Sequence, residues 1–201
     1  MPIYFFWGED DYAIATAVKQ LQKSVLDPNW LQFNYDKLFG EQPDNLMEAL
    51  NLAMTPVFGM GERLIWLADT TICQHCPENF FKELERTLPQ ILETSHLLFT
   101  SSKKPDQRLK SAKFLAKYGQ FREFSFIPPW QTDELIARVS QVAQEIGVKL
   151  TPAGTQLLAE SVGNNTRQLW SELEKLKIYS STSTHPLDVE LISTLVCDSF
   201  R

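Results

Sequence analysis

Short apolar runs and stretches of helical periodicity take turns along the chain as far as Phe126, and only helical periodicity continues after it. Ile3 to Trp7 (IYFFW) is an apolar run of strand length that ends at Gly8. Asp10 or Asp11 then offers an N-cap for a helix that fades near Leu26-Asp27-Pro28, because a carboxylate accepts first-turn N–H groups. Leu31 to Asp36 (LQFNYD) alternates apolar and polar and predicts a second strand, with Leu38 to Gln42 as a loop. Pro43 suits a first helical position, and Leu46, Met47, Leu50 and Met54 recur at helical spacing until Thr55-Pro56 stops the helix. Arg63 to Asp69 predicts a third strand, apolar enough for the interior of a parallel sheet. After a connection from Cys73 to Pro77, a helix to Leu92 puts Phe80, Phe81, Leu84, Leu88 and Ile91 on one face. His96 to Thr100 and Gln120 to Phe124 predict two further strands. Between them lie a polar loop and a helix, Leu109 to Tyr118, with Phe114 and Leu115 inward. Five strands alternating with helices predict a three-layer α/β domain with a five-stranded, mostly parallel sheet.

The pattern changes at Phe126-Ile127-Pro128-Pro129-Trp130, where two prolines make a stiff hinge. Thr132 to Ile146 is amphipathic and Gly147 closes it. Thr151-Pro152 opens a second helix, to about Val162, as N-cap and N1 proline. A third runs from Gly163 to Tyr179, Ser180 to His185 is a polar loop, and Leu187 to Val196 is a last short helix. The expected division is therefore an α/β domain over 1–127 and a small all-helical domain over 128–201.

No apolar run is long enough for a membrane span, and the N-terminus lacks the basic region and cleavage site of a signal peptide, so a cytoplasmic location is the default. Three cysteines, an odd count, argue against a disulfide framework. The net charge of −6 suits poorly a protein that grips DNA alone. That charge is uneven. Lys103, Lys104, Arg108, Lys110, Lys113, Lys117 and Arg122 face a single acid, Asp106, so net +6 in this stretch leaves −12 elsewhere. Such a run is either a solvated helix face or a patch turned to DNA or to an acidic neighbour.

Strand, glycine turn and helix at the N-terminus are laid out like a phosphate-binding loop, whose chemistry needs a glycine followed by lysine. None of the eight glycines is followed by lysine, and Glu9, Asp10 and Asp11 would repel phosphate. Asp69 ends a strand where nucleotide hydrolases place a magnesium ligand, but with no phosphate loop it reads as a turn residue. Cys73, His75 and Cys76 fall short of a four-ligand zinc site, because the remaining cysteine, Cys197, is far along the chain; the two cysteines read as free thiols in a surface connection. No nucleophile–base pairing is visible. Val57 and Phe58, between Pro56 and Gly59, either tuck under the sheet edge or form an exposed apolar plug of the kind that fills a partner's pocket.

Four stretches, in this order and spacing, resemble the delta subunit of the bacterial DNA polymerase III clamp loader: YFFWGEDDY, ALNLAMTPVFGMGERLIWLAD, KKPDQRLK and GNNTRQLWSELEKL. The resemblance covers nearly the whole chain. It implies an AAA+-like domain with no ATP site, followed by a helical lid. It implies that the chain binds the sliding clamp (beta) and helps open the ring, alongside other clamp-loader subunits and with DNA reached through the complex. The matching clamp-binding residues are Val57 and Phe58, flanked by Met54, Thr55 and Pro56. Leucine often stands where this chain has Val57, so the plug is smaller and is expected to bind more weakly. ATP-binding relatives carry Ser-Arg-Cys after the fourth strand; Ser101-Ser102-Lys103-Lys104 stands here, which implies no arginine finger. No cofactor and no catalytic site are implied, and a polymerase label would describe the holoenzyme. The family continues into a third, collar domain, so a chain ending at Arg201 is expected to be a fragment. Two rival readings are a divergent NTPase and a stand-alone DNA-binding module centred on residues 103–122.

Overall fold

Five strands form: β1 (Ile3–Trp7), β2 (Tyr35–Phe39), β3 (Arg63–Ala68), β4 (Ser95–Ser101) and β5 (Gln120–Glu123). The computed structural model describes residues 3–180 and 186–196. Sheet order is β2-β3-β4-β1-β5, and every neighbouring pair is parallel. The order follows burial. β4 is buried along its whole length and takes the centre, while β2 and β5, with mostly half-buried or exposed positions, take the edges.

Helix α1 (Asp11–Val25) covers one face, packing Ala13, Ile14, Ala17 and Val18 against Phe6, Leu64 and Leu98. After a single helical turn, α2 (Leu31–Asn34), come α3 (Pro43–Ala53), α4 (Glu78–Thr87) and α5 (Lys110–Tyr118), which cover the other face around Phe5, Ile65, Leu67, Leu97 and Phe99. This is the three-layer α/β arrangement.

Three local expectations are corrected. The second strand starts at Tyr35, not Leu31, and the residues expected as a loop from Leu38 include its end. Apolar–polar alternation covers Leu31 to Asp36 and breaks at Lys37, so periodicity points to residues ahead of the strand; pairing fixes its place, with Tyr35 opposite Leu64 and Phe39 opposite Ala68. Helix α3 buries Leu46, Ala49, Leu50 and Ala53 and leaves Met47 and Met54 partly exposed, because small alanines let the helix approach the sheet closely. Helix α4 stops at Thr87, and Leu88–Gln90 is a 3-10 turn; Pro89 has no N–H to continue the helical ladder.

The chain divides into two compact units, Met1–Ser125 and Phe126–Arg201. The second contains α6 (Thr132–Ile146), α7 (Pro152–Val162), α8 (Thr166–Ser180) and α9 (Val189–Val196) around a core that includes Val142, Leu158, Leu173 and Ile192. Thr151 caps α7 by accepting from the Gly154 N–H at 3.1 Å. Helix α8 starts three residues later than expected, since Gly163 sits at φ +60° and the Asn165 carboxamide accepts from the Gln168 N–H. The loop expected after Ser180 and the position of Cys197 lie outside the described residues. Among the described residues no helix is long and apolar enough to cross a membrane.

Candidate protein-docking site

With all five strands parallel, the first unit has two distinct ends. At the carboxyl ends, where open α/β sheets bind ligands, the Gly8 turn is closed by the chain itself. A Cβ at Gly8 would stand 2.1 Å from the Phe124 carbonyl oxygen, and Gly8 has φ +147°. The Asp10 N–H donates to that same carbonyl at 2.9 Å, the Gly8 N–H donates to Ser101 O at 3.1 Å, and the Ala13 N–H is taken by the Asp10 carboxylate. The backbone donors of Gly8, Asp10, Asp11 and Ala13 are thus already bonded within the chain rather than open to a phosphate. Asp69 is exposed and left-handed at φ +53°, the geometry of a turn residue.

The cysteine connection differs from its expected character. Cys73 is fully buried in the core and Cys76 is half-buried; both are free thiols. Burial pushes the Cys73 thiol up to about 12, with a smaller push from Cys76. Among the described residues no group of three or more His, Cys, Asp and Glu side chains is close enough to hold a metal. His96 lies between Glu62, with which it pairs, and the Tyr4 hydroxyl, at 3.3 Å from Nδ1. No nucleophile adjoins it among the interactions seen.

The basic residues occupy the loop after β4, helix α5 and, for Arg122, strand β5. Lys103, Lys104, Lys110, Lys113, Lys117 and Arg122 are exposed. Arg108 is held in a two-point pair with Asp106, at 2.9 and 2.8 Å, and that guanidinium keeps the Asp106 carboxyl down at about 2. Lys104 and Lys113 line a cleft of about 750 Å³ whose apolar side includes Trp7 and Phe121.

At the opposite end, where β2 and β3 begin, the loop after α3 turns outward. Met54, Thr55 and Pro56 are exposed, Val57 is half-buried, and Phe58 is 55% exposed. Neither account of Val57 and Phe58 holds in full. The pair is not tucked under the sheet, and Phe58 does not project alone. Its ring lies 4.9 Å from that of Phe33 and 5.4 Å, edge to face, from that of Trp30. Leu31, Phe33 and Met60 are exposed as well. Together these residues form an apolar knob built from two segments. Gly59, at φ +74°, is required there, because its Cβ would strike the Trp30 ring at 2.5 Å. Beneath the knob Arg63 donates to the Phe33 carbonyl at 2.9 Å and pairs with Asp36 at 3.0 Å.

Nothing in the sequence marks Trp30, Leu31, Phe33, Asn34 and Met60 as neighbours of Phe58, since it is the fold that exposes leucine and phenylalanine in the Leu31–Asn34 turn and buries asparagine.

A family model described as DNA polymerase III, delta subunit, matches residues 4–124. Among solved structures, the Bacillus subtilis DNA clamp loader delta protein (YqeN) is similar with a TM-score of 0.81 and 19% identity, over 98% of this chain and 58% of that one. The Thermotoga maritima RuvB Holliday junction branch migration motor is similar with a TM-score of 0.51 and 12% identity, over 97% of this chain and 61% of that one. A RuvB variant from the same organism gives 0.52. At such identities these likenesses show the fold, an AAA+-like α/β domain followed by a helical lid. The chain thus spans about 58–61% of the length of these structures. No curated protein sequence matches the chain.

Proposed function

Since the chain belongs to the DNA polymerase III delta-subunit family, we propose that it is a clamp-loader subunit that docks on the ring-shaped sliding clamp and helps open it, without binding ATP itself. The observation that carries this reading is the Phe58 ring, exposed yet packed on Trp30 and Phe33 at the end of the domain opposite the closed Gly8 turn. An aromatic anchor held in place suits a pocket on a partner. Val57 adds a second, smaller apolar group, and Met54, Thr55 and Pro56 shape its approach. The mechanism is mechanical. Other subunits bind ATP and change the pose of this one; its docking favours the open ring only by the difference in its affinity for the two ring states. No covalent step falls to this chain.

The test is a titration against the sliding clamp from the same source. Parent protein binds, and a Val57→Ala, Phe58→Ala variant loses about 2 kcal/mol or more, roughly 30-fold, while keeping its fold. Equal binding by parent and variant would move the site elsewhere.

The cleft beside Lys104 and Lys113 supports a second contact, with DNA or an acidic neighbouring subunit, through Lys103, Lys104, Lys110, Lys113 and Lys117. A divergent NTPase is disfavoured by the bonded N–H groups of the Gly8 turn. A stand-alone DNA-binding module is disfavoured by the net charge of −6.

A further inference from the structure

We propose that Asn34 is a positioning residue for the docking loop, holding the backbone of Phe58 so that its ring is set before a partner arrives. The inference rests on the docking role given to Phe58 above. Asn34 is only 1% exposed. Its Nδ2 donates to the Phe58 carbonyl at 2.9 Å, and its Oδ1 accepts from the Phe58 N–H at 2.9 Å. Both polar groups of one peptide residue are thereby satisfied by a single side chain from 24 residues earlier. A carboxamide is suited to this because it carries a donor and an acceptor side by side; a carboxylate of the same size has no donor.

The surroundings remove the alternatives open to the loop. Trp30 lies against Gly59, where no side chain fits, and Phe33 lies against Phe58. Gly61, at φ +87°, passes so close to Asp27 that a Cβ would stand 2.9 Å from the aspartate Cβ. Arg63 fixes the Phe33 carbonyl, one residue before Asn34. A burial pattern that turns Leu31 and Phe33 out and Asn34 in is uneconomical for stability alone. It is coherent if the turn supports a presented surface. A loop ordered in advance loses less freedom on docking, which raises affinity without a new contact.

The experiment measures clamp affinity of the full chain for the parent, Asn34→Ala, Asn34→Asp, Asn34→Ser, Phe58→Ala and the Asn34→Ala, Phe58→Ala double variant, alongside hydrogen exchange of the Phe58 amide. Asn34→Ala is expected to bind about ten-fold more weakly, with Phe58 amide protection lost and protection in β3 kept. Asn34→Asp keeps the acceptor for the Phe58 N–H but sets a buried carboxylate oxygen against the Phe58 carbonyl, so it is expected to bind at least as weakly as Asn34→Ala. Asn34→Ser, small and uncharged, carries the test if the alanine variant does not fold. In the Phe58→Ala background, read at high clamp concentration, Asn34→Ala has no further effect, because the residue acts only through that ring. Folded Asn34 variants that bind as the parent does would overturn the inference and leave the docking site standing. If the parent fails to bind, the docking reading falls first and takes this inference with it.

Discussion

At Cys73 a thiol that reads as a surface group is sealed in the core, and the consequence is a dependence on pH. An unfolded thiol ionises near its ordinary value of 9, whereas the folded one keeps its proton to about 12. Stability linked to the protonated thiol is therefore whole below about pH 9 and drains away as pH rises toward 12. Burial raises Tyr4 and Tyr35 as well, which adds to the loss in the same direction. Thermal melts across a pH series are expected to fall on the alkaline side, and a Cys73→Ala variant should start lower but decline less steeply. An equal decline would show that Cys73 does not govern it. Residue by residue, the sequence narrowed the α1 cap to Asp10 or Asp11, of which the structure uses Asp10, and marked Asp69 as a turn residue. It did not yield Asn34, Trp30 or Phe33, because their roles arise only when the segment before β2 meets the loop before β3. Types and neighbours along the chain carry no record of that meeting.

Among the elements, β1 and α1 were legible because a buried run, a glycine and a capping aspartate agree with one another. Strand β2 was misplaced because the alternating residues Leu31 to Asp36 lie mostly ahead of the paired ones, which only Leu64 to Ala68 across the ladder select. The early end of α4 was written in Pro89 and overlooked beneath a strong apolar stripe. The Gly8 turn was recognised for its shape, but its reason is packing. Gly8→Ala would drive a methyl group into the Phe124 carbonyl at 2.1 Å, with φ at +147°, and neither backbone can step aside cheaply. A loss of about 3 kcal/mol is expected in urea unfolding. A loss below about 0.5 kcal/mol would mean that the turn has slack.

Across the whole molecule, the parallel sheet separates two surfaces of opposite chemistry. The apolar knob stands where β2 and β3 begin, and the lysines of the loop after β4 stand where that strand finishes. Changes at one end should leave the other untouched. A Lys104→Glu, Lys113→Glu variant is expected to weaken binding to a DNA or other polyanion probe and to flatten its salt dependence by about two phosphate contacts. Its clamp affinity should match the parent's; a parallel drop in both would show that the two surfaces are coupled. Fold class was legible at this scale because alternation of element types survives local errors, whereas the sheet order β2-β3-β4-β1-β5 was not, since no pairing is encoded in periodicity. The Phe124 carbonyl carries one more consequence. A nucleotide site lost through side-chain changes can be regained by reversing them, but this one is stoppered with main chain, which every amino acid possesses. Grafting a glycine and a lysine into the turn would leave the stopper in place. A designer seeking an ATP-responsive version must first reroute the strand exit at Phe124.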